Sequence, residues 1–348
     1  MYQDNGRPLQ KIRRILHIAV LSLSLFVYCF PPPAASAQGL TDSENPLRLE
    51  VSPLITNLTT TPGTAVTATF TVTNQHQIPE AVQLNIRKLS GYTDEGLPVL
   101  AGRESGDDYL DWITLSENRL VLDAKESKTV TATIRTPQEA SFGYYYAITF
   151  VRDADNEGTE SADTTPVTLI LLEANVPNAK REIELVDFSV DQGVYEYLPV
   201  HFQIQVRNTG NVHTLPIGTV VITSATMGEP ITLLVNPASD SVLPSTSRVF
   251  SINWKEGFPV YVDKTTNGKA ARELAWDFNQ LKKLRFGKYD VSLLLTYHDG
   301  TRDQVIERTT SFWVIPWRIS AVVALLGALM LAGAHSIIRS TIAPRRSK

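Results

Sequence analysis

Apolar and polar residues alternate with a period of two along most of this chain. In TAVTATFTVTN, from Thr64 to Asn74, Val66, Ala68, Phe70 and Val72 alternate with threonines. That pattern, filled with β-branched residues, predicts a half-buried strand. KTVTATIRTP repeats it at Val130, Ala132 and Ile134 and stops at Pro137, which cannot donate to a ladder. VHFQIQVRN sets Val200, Phe202, Ile204 and Val206 against His201, Gln203, Gln205 and Arg207. Turn-forming residues divide these runs, as at Pro62-Gly63, Asn208-Thr209-Gly210-Asn211 and His298-Asp299-Gly300. No long amphipathic helix is needed between them. KAARELAWDFNQLKKL, from Lys269 to Leu284, fits either a helix or a short strand. The favoured reading is a strand through Trp276 with a helical turn near Leu281.

Two halves share a layout. An early strand ends in asparagine, FTVTN at Asn74 and IQVRN at Asn208. A middle strand follows an apolar–polar turn, in LVLDAKESKTVTATI and again in SVLPSTSRVFSINW. Phe-Gly-x-Tyr then opens a strand near the end of each half, in FGYYYAITFV (Phe142–Val151) and FGKYDVSLLLTY (Phe286–Tyr297). Strands at intervals of about ten residues predict an all-β fold of two tandem immunoglobulin-like β-sandwiches. The glycine suits a bend into the penultimate strand. The tyrosine, Tyr145 or Tyr289, stands where sandwiches place a corner hydroxyl bonded back to the backbone. One detail resists this match. Val291, Leu293 and Leu295 continue in phase with Tyr289, whereas Ile148 and Phe150 are out of phase with Tyr145. Either a bulge shifts the register or the tetrapeptide match is partly coincidence. Tyr144, Tyr145 and Tyr146 also raise an exposed carbohydrate-binding patch, against which a core-and-rim role is favoured.

The two ends change the setting. Lys11, Arg13 and Arg14 precede an apolar run from Ile15 to Phe30 and the small-x-small triplet Ala35-Ser36-Ala37, which predicts a signal peptide over residues 1–37. Cys29, the only cysteine, lies inside it, so disulfides and cysteine-ligated metals are excluded from the mature chain. ISAVVALLGALMLAGAHSII, residues 319–338, has no Lys, Arg, Asp or Glu and at 1.5 Å per residue spans about 30 Å, enough to cross a bilayer core. Trp313 and Trp317 flank it as interfacial anchors, and Arg339, Arg345, Arg346 and Lys348 follow, which predicts a cytoplasmic tail over 339–348. His335 reads as an interfacial residue, and Gly327 and Gly333 lack the G-x-x-x-G spacing of helix dimers. The expected localisation is a single-pass type I cell-membrane protein with an extracellular ectodomain.

Between these ends, residues 38–175 form the first predicted sandwich and 180–315 the second. The break falls between Glu173 and Glu184, at Val176-Pro177-Asn178-Ala179. The whole chain carries 32 basic and 36 acidic residues; with four basic and one acidic in 1–37 and four basic in 339–348, residues 38–338 keep 24 basic against 35 acidic, a net of −11. That balance disfavours nucleic acid as a partner.

Candidate chemistry is sparse. His76, His201, His213 and His298 are the exported histidines, and none has a second histidine at ligand spacing. H-E-x-x-H, G-x-S-x-G and phosphate-cradling glycine loops are missing from the sequence. No catalytic, cofactor-binding or metal residues are assigned, no cofactor is expected, and the ligand-binding residues are unknown. An enzyme is not expected, although a hydrolase site converging from distant strands is a less favoured reading. Asp153-Ala154-Asp155-Asn156-Glu157-Gly158 resembles half a calcium loop, but the twelfth place is Thr164 in place of glutamate, so a polar hairpin tip is favoured. Asn57-Leu58-Thr59 is a formal glycosylation sequon that decides nothing.

Signal peptide, PGTAVTATFTVTN, WITLSENRLVLDAKESKTVTATIRTP and FGYYYAITF together resemble the peptidoglycan-binding domain of the WxL-interacting surface proteins. The second sandwich, the closing apolar helix and the basic tail are similar to that family's layout, in which the second domain is described as host-binding. The resemblance implies a membrane-anchored bacterial surface protein that binds cell-wall polymer or a partner surface protein. A structural spacer or assembly subunit for a neighbouring membrane protein is the alternative.

Overall fold

The computed structural model describes residues 47–153, 166–226, 229–266 and 269–342. The predicted signal peptide, most of the calcium-like loop and the last basic residues of the tail lie outside the described residues. The first sandwich holds β1 (Leu49–Ser52), β2 (Ile55–Thr60), β3 (Ala65–Asn74), β4 (Glu80–Tyr92), β5 (Pro98–Ala101), β6 (Ile113–Leu115), β7 (Arg119–Leu122), β8 (Ser127–Arg135), β9 (Phe142–Arg152) and β10 (Val167–Ala174). The second holds β11 (Ile183–Val190), β12 (Val194–Tyr195), β13 (Val200–Asn208), β14 (Ile217–Thr223), β15 (Ile231–Val235) and β16 (Ser247–Trp254). It continues through β17 (Val260–Thr266), β18 (Lys269–Ala275), β19 (Gly287–His298) and β20 (Asp303–Val314), and α1 (Trp317–Ile342) follows.

The fold is all-β, two tandem immunoglobulin-like sandwiches followed by one apolar helix. In the first, the sheet β1-β3-β8-β6 packs on β2-β10-β9-β4-β5, with β7 also paired to β4. In the second, β11-β13-β16 packs on β12-β20-β19-β14-β15. Both halves make the same sheet switch. β1 lies antiparallel to β3, after which β2 runs parallel to β10; β11 lies antiparallel to β13, after which β12 runs parallel to β20.

The alternating residues point where their period requires. Phe70, Val72, Val130, Ala132 and Ile134 are buried in the first core, and Val200, Phe202, Ile204 and Val206 in the second. The second core centres on Trp254, Tyr289 and Phe312. Tyr289 stacks on Phe312 at 5.3 Å and 11° and meets Trp254 edge-on at 5.3 Å. Each such ring contributes about 2–3 kcal/mol by leaving water.

The repeated asparagines close the same corner twice. The Asn74 amide donates to the carbonyls of Ile78 (2.8 Å) and Asp123 (3.1 Å), and its oxygen accepts the N–H of His76 at 2.8 Å. The Asn208 amide donates to Val212 (2.9 Å) and Val242 (2.8 Å), and its oxygen accepts the N–H of Gly210 at 2.8 Å. Both side chains are fully buried, so these bonds satisfy backbone groups that water cannot reach.

Phe-Gly-x-Tyr, in contrast, does different work in its two copies. In the second, Gly287 has φ +101°, a bend that favours glycine, and Tyr289 is 1 % exposed in the core. In the first, the positive φ (+67°) falls on Phe142, one residue earlier. β9 then pairs with β10 without a register shift, from Phe142 opposite Ala174 to Thr149 opposite Val167. Tyr146, Ile148 and Phe150 therefore face the core, and Tyr145 faces the other way. No bulge restores the match. Tyr145 is not the counterpart of Tyr289, and the expected corner role is corrected there. Gly143 serves close approach: a Cβ on it would collide with the Tyr145 hydroxyl.

The ambiguous stretch resolves as β18 through Ala275 and a 3-10 segment, Phe278–Lys283, capped by the Asp277 carboxylate on the N–H of Asn279. α1 begins two residues before the predicted span and runs four beyond it. It is long and apolar enough over Trp317–His335 to cross a membrane.

Candidate binding cleft between the sandwiches

The outward face of β9 and β10 carries more apolar residues than a solvated face needs, because the second sandwich covers it. Leu89, Ala147, Leu169 and Leu171 form one buried cluster with Leu243, from the loop before β16. Beside it, the backbone N–H of His213 donates to the Tyr145 hydroxyl at 2.8 Å, and the two rings meet edge-on at 5.8 Å. On another flank the Arg248 guanidinium lies 4.0 Å from the centre of the Tyr92 ring. Arg248 is 5 % exposed, bonded to Asp240 at 2.8 Å and to the Ser241 carbonyl at 3.1 Å. Burial raises the Tyr92 hydroxyl pKa, the Arg248 charge opposing it. In the connecting segment, residues 175–182, Arg181 pairs back to Glu173 at the end of β10.

These contacts frame a cleft of about 360 Å³. Asn57, Glu173 and Arg181 line it from the first sandwich and the connecting segment; His213, Thr214, Tyr297, His298 and Asp303 line it from the second. Leu215 and Ile217 line it as well, so it suits a ligand with both apolar surface and hydrogen-bonding groups. Burial, with Arg181 nearby, pushes the His213 imidazole down to about 4, so at neutral pH it is uncharged. The Nδ1 of His213 is buried without a hydrogen-bond partner, and the Nδ1 of His298 is taken by the N–H of Gly300 at 3.0 Å. Neither nitrogen is set to activate a hydroxyl.

The other exported histidines lie apart. His76 is buried against Glu80 at 2.7 Å, and Arg152 holds the same carboxylate at 3.0 Å. Burial pushes the Glu80 carboxyl up, but the Arg152 and His76 interactions outweigh it and hold the group below its ordinary value. His201 meets Asn253. Among the described residues, no group of three or more His, Cys, Asp or Glu is placed to hold a metal. Asp153, the one described acid of the calcium-like loop, pairs with Arg119.

The three adjacent tyrosines divide between core and rim. Tyr146 is fully buried and donates to the Tyr109 carbonyl at 3.1 Å. Tyr144 is half-buried, 4.7 Å from the Trp112 ring, and its hydroxyl accepts the Ser141 N–H at 2.9 Å. Sequence reasoning missed Arg248 and Glu173. Both sit in apolar alternations at positions where a charge is costly unless paired, and that was the available signal.

No protein-family model and no curated protein matches the chain. Among solved structures it is similar to a chain of a chaperone–tip adhesin complex of CFA/I fimbriae biogenesis, at 14% identity over 76% of this chain and 98% of that one, with a TM-score of 0.33. It is similar to the class 5 fimbriae chaperone CfaA, at 13% identity over 76% and 99% with a TM-score of 0.33. It is also similar to the Pseudomonas aeruginosa CupB2 chaperone, at 9% over 74% and 99% with a TM-score of 0.33.

Proposed function

We propose that this chain is a surface binding protein, not an enzyme, held at a membrane by α1, with its two sandwiches acting as one binding unit for cell-wall polymer or a partner surface protein. The observation that carries the reading is the junction of β20 and α1. Two residues, Ile315 and Pro316, separate the buried end of β20, at Phe312 and Val314, from an apolar helix whose described side chains are nearly all exposed. A helix apolar on every face needs a nonaqueous surrounding. The cleft supports ligand capture, and the resemblance to the WxL-interacting surface proteins supports cell-wall material as the ligand class.

The detergent-solubilised full chain, incubated with isolated peptidoglycan and with cell-surface protein extract, tests this reading. Saturable retention by one of them is expected; retention by neither overturns it. Alkaline extraction should leave the chain in the membrane fraction. A second reading, an assembly subunit that positions a neighbouring membrane protein, is supported by the Tyr145–His213 and Arg248–Tyr92 contacts, which hold the sandwiches as one body. Co-purification of one stoichiometric membrane partner after mild solubilisation would favour it.

A further inference from the structure

The second sandwich exposes a patch of large apolar side chains away from the cleft. Phe278 is 71 % exposed, Leu281 57 % and Trp276 49 %. The two rings form one surface: Trp276 stacks on Phe278 at 6.2 Å, and both pack on the buried Phe258, at 5.8 and 5.6 Å, with Leu281 in the same 3-10 segment as Phe278. Lys282 and Lys283 follow directly in the chain, a basic edge on an ectodomain of acidic balance.

The patch lies at the end of the sandwich from which α1 leaves. Gly287, just after this segment, pairs with Val314, the last residue of β20. Phe258 forms a bridge with Leu284. Tyr197 lies 6.5 Å from Trp276, and its neighbour Glu196 holds Arg318, in the first turn of α1, at 3.3 Å. The apolar patch and the start of α1 are thus joined through two adjacent residues.

We propose that the Trp276–Leu281 segment is a second membrane contact, its aromatic and aliphatic side chains seated in the headgroup region of the bilayer that α1 crosses, with Lys282 meeting lipid phosphate. This rests on the reading of α1 as a membrane span. Three features favour lipid as the occupant: continuity with the root of that span, the Trp and Phe content typical of the membrane interface, and basic residues at the edge. An anchor of one helix leaves an ectodomain free to tilt. A second contact on the same end restricts that tilt and sets the direction in which the cleft faces.

The test uses the full chain with Cys29→Ser and one introduced cysteine carrying an environment-sensitive fluorophore. It is reconstituted in phosphatidylcholine–phosphatidylglycerol vesicles containing a lipid with a shallow spin-label quencher. Phe278→Cys and, separately, Leu281→Cys should be quenched several-fold more than Leu54→Cys, an exposed position on the first sandwich. Leu325→Cys in α1 with a deep quencher reports the span itself. Quenching at Leu325 but not at Phe278 or Leu281 overturns the proposal and leaves the anchor standing. Quenching at none of the three removes both. A probe at Phe278 shielded from aqueous iodide yet untouched by the lipid quencher also overturns it, since protein then covers the patch.

Discussion

Tyr145 of the first sandwich accepts the backbone N–H of His213 of the second, 2.8 Å away. One phenol oxygen therefore satisfies a backbone donor across the boundary between two independently built cores. The bond exists because β9 turns Tyr145 away from its own core and because Gly143 leaves room for the ring.

Replacing Tyr145 with Phe keeps the ring and leaves that N–H without its acceptor. It should destabilise the residue 38–315 fragment by about 1 kcal/mol or more. Gly143→Ala pushes the ring aside and should cost about 1–3 kcal/mol. Urea unfolding measures both. Separation of one transition into two would show that this bond couples the sandwiches, and an unchanged midpoint would remove it from that role.

The His213 imidazole has a folded-state pKa of about 4, below its ordinary value of 6.5. The unfolded chain therefore takes up a proton first as pH falls. Stability from this group is present above about 6.5 and is lost as pH drops toward 4, on the order of 1–2 kcal/mol by pH 5. Thermal melts between pH 7.5 and 5 should show a decline that flattens in His213→Asn.

Asn74→Ala and Asn208→Ala should each cost about 3 kcal/mol, since each strips buried backbone groups of their partners. Similar losses from two positions far apart in sequence would confirm one corner device used twice, whereas a small loss at either would deny it. Differential scanning calorimetry of the single variants decides the matter.

Tyr289→Ala opens a cavity between Trp254 and Phe312 and should cost about 3 kcal/mol or more. Tyr289→Phe keeps the stack with Phe312 and should cost much less. The reverse order in chemical denaturation would contradict the packing described for the second core.

The strands of this protein were legible because a period of two and a surplus of threonine and valine are local properties. So were the apolar helix and the asparagine that ends each early strand, whose hydrogen bonds run partly to residues two and four places ahead. Lys269–Leu284 was readable only in part, since its residues fit a helix as well as the strand that β18 forms through Ala275. The facing of the tyrosines was not. Phe-Gly-x-Tyr is the same string twice, but in one copy the bend falls on glycine and in the other on the phenylalanine before it, and a shift of one residue turns a strand side chain to the opposite face. The cleft was hidden for a related reason. Asn57 and Glu173 meet Arg181, His213 and Asp303 only because the second sandwich docks on the outer face of β9 and β10. Alternation marks which residues leave water, while only the packed tertiary structure decides whether the surface that covers them belongs to the same sandwich or to the next.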